Sequence, residues 1–176
     1  MSEPRRIGVF GGAFDPPHRA HVALVCSAID ALELDEVRVL PTGQAWHRSG
    51  GLTDAVHRLA MTRLAFAEVP KVEVDDREIR RSGPSYTVDT LTEIAAEHPG
   101  AQLYLLIGDD QRRSLSGWKR IDEIARLAII CAAARDLQVA SWHADTSETS
   151  DVTTPAIRPL PMPLMPISAT DIRERL

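Results

Sequence analysis

The sequence holds few cysteines: two in 176 residues, Cys26 and Cys131, which excludes a disulfide framework. Both sit in apolar runs, where buried free thiols are the simple expectation. No apolar run approaches the roughly 18–20 residues of a membrane span. Basic residues are not in excess, with Lys plus Arg 20 against Asp plus Glu 25 and a formal charge of −5. They cluster only as pairs (Arg5-Arg6, Arg80-Arg81, Arg112-Arg113). That argues against a groove tracking a nucleic-acid backbone and leaves room for a small phosphate site. The opening Met-Ser-Glu-Pro-Arg-Arg lacks an apolar core, so no secretory signal is expected and a cytoplasmic address is. Internal repeats and low-complexity tracts are absent.

What is present is ordinary globular composition, 44% apolar and 26% charged. The length suits one domain over 1–176, with about 136–176 forming a C-terminal subregion. Short apolar runs at 7–10, 36–40, 71–74, 102–107 and 127–132 read as strands. Between them, 3.6-residue periodicity marks helices at about 18–33 (Val22, Val25, Ile29 and Leu32 inward), 53–67 (Val56, Leu59, Ala60, Leu64 and Ala67 on one face), 86–98 and 118–126. Residues 77–84 read as a charged turn, 136–154 as a loop, and the proline-rich 155–166 as extended chain. Alternating strands and helices predict an α/β, Rossmann-like doubly wound parallel sheet with flanking helices. Ligands bind such sheets beyond the carboxyl ends of the strands, near the switch in strand order.

The strongest signal follows the first strand: Gly11-Gly12-Ala13-Phe14-Asp15-Pro16-Pro17-His18-Arg19-Ala20-His21. Two glycines let backbone approach a ligand, and the next helix offers unpaired N–H groups with about half a positive charge. That combination suits an anion. His18 and His21 lie one turn apart there, so both imidazoles can face one phosphate. The run has neither the Gly-Lys-Ser/Thr ending of a Walker loop nor G-x-G-x-x-G. Two histidines at i, i+3 could also bind zinc, but no third ligand is evident nearby, and no metal site is expected. The plain alternative is two helix-start histidines that cap and pack. A second signal is Ile167-Ser168-Ala169-Thr170-Asp171-Ile172-Arg173. Either it is a capped closing helix, or its hydroxyls and guanidinium converge on a polyphosphate.

Together these segments resemble the nucleotidylyltransferase superfamily. Further stretches resemble nicotinate-mononucleotide adenylyltransferases: Pro41 to Arg48, Arg58-Leu59-Ala60-Met61, Pro84 to Leu91, and Ile107-Gly108-Asp109-Asp110 with Trp118 following. The resemblance implies AMP transfer from ATP to nicotinate mononucleotide, giving deamido-NAD and pyrophosphate, with Mg²⁺ carried on the ATP phosphates. Under it, His18 and His21 bind the triphosphate and stabilise the transition state. Gly11, Gly12, Ala13 and Phe14 form the loop at the α-phosphate. Ser168, Thr170 and Arg173 meet the β and γ phosphates, with Arg173 counted among the catalytic groups. Asp110 lies near a ribose and Arg135 near the adenine. His47 and Arg48, with Ser85, Tyr86 and Thr87, contact the second substrate, and Trp118 stacks on its pyridine ring. Small-molecule substrates, no nucleic acid and no membrane are the expected partners.

The chain departs from the pattern at Ala20, where relatives usually have Gly, and at Ala13, where they usually have Thr or Ser. Arg135-Asp136 stands in place of an Arg-Pro-Gly-like run. It ends soon after Arg173, where relatives usually add a helix, which leaves a homo-oligomer and the edge of the adenine pocket open. Two other readings stay open: the same chemistry on nicotinamide mononucleotide or another phosphate, and a nucleotide-binding regulator without turnover.

Overall fold

Six short apolar segments line up as one all-parallel sheet in the order β3-β2-β1-β4-β5-β6. The computed structural model describes residues 2–43, 51–134, 156–161, 172, 174 and 175. The strands are β1 (Arg6–Gly12), β2 (Glu36–Pro41), β3 (Val72–Val74), β4 (Gln102–Ile107), β5 (Ala128–Ala134) and β6 (Ile157–Pro161). The helices are α1 (Arg19–Leu32), α2 (Ala55–Phe66), α3 (Arg77–Arg80), α4 (Thr87–Glu97), α5 (Asp109–Ser114) and α6 (Ile121–Leu127), with a 3₁₀ turn at Leu115–Gly117. The expected Rossmann-like α/β sheet is therefore what the chain forms.

Alternation along the strands sorts side chains onto two faces, each covered by helices. Ile7, Val9, Leu103, Leu105, Ile107 and Ile130 pack against Val88, Leu91 and Ile94 of α4 and Ile124 of α6. Phe10, Val37, Val39, Tyr104, Leu106 and Cys131 pack against Leu24, Val25, Ala28 and Leu32 of α1 and Phe66 of α2. Each such aliphatic or aromatic side chain contributes about 1.5–3 kcal/mol on burial. The helices change faces where the strand order reverses, between β1 and β4, and a ligand crevice is expected at the carboxyl ends of those two strands.

Four details differ from expectation. Helix α2 faces the sheet with Arg58, Thr62 and Phe66, while Val56 and Leu64 are 67% and 79% exposed. Its apolar pattern is too weak to set the rotation, and the hydrogen bonds of Arg58 set it instead. The charged stretch after β3 forms the short helix α3, because Asp75 accepts from the Arg77 amide at 3.0 Å and from its side chain. Residues 118–120 precede α6 rather than opening it, and 109–117 are helical. Cys26 is exposed on α1; only Cys131 is buried. Among the described residues, no helix is long and apolar enough to cross a membrane.

Candidate active site

In a parallel sheet the connecting helices start at the carboxyl edge of the strands, so the starts of α1, α2, α4 and α5 gather at one end of the molecule. Helix α1 begins at His18, its N-cap. No acidic residue lies in its first turn. That turn carries Arg19 instead, a cation placed against the helix dipole, together with His21. A bound anion reverses the sign of that interaction.

The two imidazoles stack, with ring centroids 3.8 Å apart and an interplanar angle of 23°. The His18 amide donates to Nδ1 of His21 at 3.0 Å. Nδ1 of His21 is thus an acceptor, and its neutral ring carries the proton on Nε2. Burial, then the neighbouring His18, holds the His21 pKa down to about 3; burial lowers that of His18 as well. The resting pair is therefore neutral, with Nε2–H of His21 available as a donor. Nδ1 of His18 is buried without a hydrogen-bond partner among the described residues. Such an orphan costs roughly 1–3 kcal/mol, and a catalytic role is one of the reasons for which a fold keeps one.

The loop between β1 and α1 is held under strain. Phe14 has φ +48°, the left-handed region, which costs about 1–2 kcal/mol for a bulky residue. Its buried ring packs edge-on against His21 at 4.9 Å and against Phe10 at 5.4 Å. Phe14 thus packs behind His21, its ring committed to the core.

Arg58, quoted above only as part of a motif, is the residue whose role the sequence reading missed. It is 1% exposed, and its guanidinium donates to four carbonyls. These are Ala13 at 2.9 Å, Thr42 at 2.6 Å, Gly43 at 3.2 Å and Thr53 at 2.7 Å. The buried Asp15 carboxylate accepts from the Thr53 amide at 3.0 Å. The segments after β1 and β2 and the start of α2 are thereby tied together.

On the sheet face opposite α1, Tyr86 is the N-cap of α4 and Thr87 its first residue, both half-buried. Ser85 is turned inward and donates its hydroxyl to the Glu78 carbonyl at 3.2 Å. Trp118 packs half-buried on the same core cluster as Tyr86, and its indole N–H donates to Ser114 Oγ at 3.4 Å. Asp110 is exposed in the first turn of α5, at the carboxyl end of β4; its neighbour Asp109 takes the ion pairs with Arg112 and Arg113. Gly11, Gly12, Ala13, Phe14, His18 and His21 thus stand at the end of β1. Asp110 stands at the end of β4, and Tyr86, Thr87 and Trp118 line the face opposite α1. His47, Arg48, Arg135, Ser168, Thr170 and Arg173 lie outside the described residues. Among the described residues, no group of three or more His, Cys, Asp or Glu could hold a metal ion.

A cytidylyltransferase-like family model matches residues 9–175. A protein of Albidiferax ferrireducens named "Probable nicotinate-nucleotide adenylyltransferase" is 53% identical over 171 residues, 97% of this chain and 85% of the relative. The chain belongs to the nicotinate-nucleotide adenylyltransferase family. A relative of the same name from Chromobacterium violaceum is 44% identical, covering 97% of this chain and 87% of the other. Among solved structures, a Plasmodium falciparum nicotinic acid mononucleotide adenylyltransferase complexed with NaAD has the same fold, with a TM-score of 0.73 at 20% identity over 97% of this chain and 83% of that one. Family membership agrees with the resemblance carried by the two end motifs and the segments between them.

Proposed function

We propose that this protein transfers AMP from ATP to nicotinate mononucleotide, releasing pyrophosphate and forming deamido-NAD for NAD biosynthesis. The observation that carries this reading is the stacked His18–His21 pair at the start of α1, beside the β1–β4 switch point, in a chain of this family. The 5′-phosphate of the mononucleotide is already an anion and needs no activated nucleophile. It attacks the α-phosphorus in line; the bond from that phosphorus to the bridging oxygen breaks and pyrophosphate leaves. The protein's work is then positioning and charge stabilisation.

In this reading the backbone of Gly11 to Phe14 meets the α-phosphate, and the imidazoles donate to phosphate oxygens as charge shifts to the leaving group. Asp110 holds a ribose, while Tyr86, Thr87 and Trp118 receive the pyridine nucleotide. Ser85 acts through the fold, its hydroxyl being engaged by Glu78. His47 and Arg48 at the second substrate, Arg135 near the adenine, and Ser168, Thr170 and Arg173 at the outer phosphates complete the proposal on the family resemblance. Mg²⁺ carried on the ATP phosphates would supply charge neutralisation for the pyrophosphate group. We place the protein in the cytoplasm, on its free cysteines and substrates. Mixing it with ATP, Mg²⁺ and nicotinate mononucleotide is expected to release pyrophosphate and deamido-NAD in equal amounts. ATP binding without release would identify a regulator and overturn the proposal.

A further inference from the structure

We propose that Glu78 is a positioning residue for the mononucleotide: it fixes the start of α4, and with it Tyr86 and Thr87, and acts on the substrate only through them. This rests on the function proposed above. Apolar packing of Val88, Leu91 and Ile94 seats α4 on the sheet, but such packing is non-directional. Tyr86, the N-cap, makes no side-chain capping hydrogen bond, so the first turn gains no register from its own cap. The register comes instead from two buried residues that flank Tyr86 and Thr87, and both donate to Glu78. Ser85 gives its hydroxyl proton to the Glu78 carbonyl at 3.2 Å, and Thr90 gives its own to the Glu78 carboxyl at 2.8 Å.

The surroundings give these bonds direction. Arg81 donates to Thr90 Oγ1 at 3.2 Å and to Glu93 at 2.9 Å. A threonine hydroxyl has one proton, so with Arg81 on its lone pair that proton is left for Glu78. On the other side, Glu78 is butted against the segment after β2: a Cβ on Gly43 would lie 2.3 Å from the Glu78 carbonyl oxygen. Helix α3 is thereby wedged between Gly43 and α4. Burying the Glu78 carboxyl costs stability that an apolar side chain of similar size would not incur. An apolar replacement would remove the acceptor and release the first turn of α4.

The test measures kcat and KM for nicotinate mononucleotide, and KM for ATP, in the unsubstituted protein, Glu78→Leu, Glu78→Gln and Thr90→Val. Leucine removes the acceptor, glutamine keeps it, and valine removes only the donor. Glu78→Leu and Thr90→Val are each expected to raise the KM for the mononucleotide about tenfold, the scale of one lost hydrogen bond. The kcat and the KM for ATP are expected to hold, the signature of lost uniform binding of one substrate. Glu78→Gln is expected to restore the unsubstituted KM. Combining Glu78→Leu with Thr90→Val is expected to raise it no further than either alone. Thr90→Val carries the test by itself if Glu78→Leu does not fold. An unchanged mononucleotide KM in Thr90→Val, or an equal rise in the KM for both substrates, overturns the assignment while leaving the proposed function standing. An unsubstituted protein that releases no pyrophosphate overturns both.

Discussion

The backbone amide of His18 donates to Nδ1 of His21 at 3.0 Å while their rings stack 3.8 Å apart. One contact thereby fixes the tautomer of His21 and aligns both imidazoles with the start of α1. In the proposed reaction, replacing either ring removes a donor to the phosphates. His18→Ala and His21→Ala are each expected to lower kcat by about 10²–10³ while the circular dichroism spectrum stays native. Wild-type turnover in His21→Ala would refute the role given to it.

The depressed pKa of His21 also links stability to acid. Folded, it titrates near 3; unfolded, near 6.5. Between those values the unfolded chain binds the extra proton, so this contribution is complete above about pH 6.5 and is lost as pH falls toward 3. Denaturant titrations of His21→Gln are expected to show a shallower loss of stability over that window.

Glu78 contributes the opposite sign. Burial, partly offset by the Thr90 hydroxyl at 2.8 Å and by Arg81, raises its pKa to about 7, with Asp75 and Glu93 adding to the rise. The folded state then holds a proton that the unfolded chain releases above about 4.5. That stabilisation is full below pH 4.5 and is lost as pH rises through 7. Glu78→Gln is expected to be more stable than the unsubstituted protein at pH 8 by roughly 2–3 kcal/mol, with the gap closing toward pH 5. A gap that does not change with pH would contradict the assignment.

Arg58 and Gly43 make a structural test of how the site is supported. Arg58→Met leaves four carbonyls without their donor and is expected to cost about 2–4 kcal/mol in urea unfolding, with Arg58→Lys intermediate. A side chain on Gly43 would put its Cβ 2.3 Å from the Glu78 carbonyl oxygen, so backbone must move. Gly43→Ala is expected to cost about 1–3 kcal/mol or more. Both variants are expected to raise the KM for ATP, because Arg58 holds the Ala13 carbonyl next to the proposed phosphate loop.

The sequence made the sheet legible because its strands are apolar runs such as Leu103 to Ile107, bounded by glycine and charge. It also located the start of α1, where glycine, proline and histidine chemistry is local. The rotation of α2 was not legible: Val56, Leu59, Ala60, Leu64 and Ala67 offered an apolar face, whereas the buried side is Arg58, Thr62 and Phe66. Only the distant carbonyls of Ala13, Thr42 and Gly43 decide between them. The same holds for Ser85, whose hydroxyl is engaged by a carbonyl seven residues away, and for Phe14, whose support of His21 depends on tertiary packing. Short-range pattern specifies elements; long-range hydrogen bonds decide which face does what.

In the proposed reaction the start of α1 grips the triphosphate. A crystal structure with a non-hydrolysable ATP analogue tests it most directly. Both imidazoles are expected within hydrogen-bond distance of phosphate oxygens, with the nucleotide lying over the carboxyl ends of β1 and β4. A triphosphate bound elsewhere, with His18 and His21 still stacked on each other and touching none of it, would contradict the account.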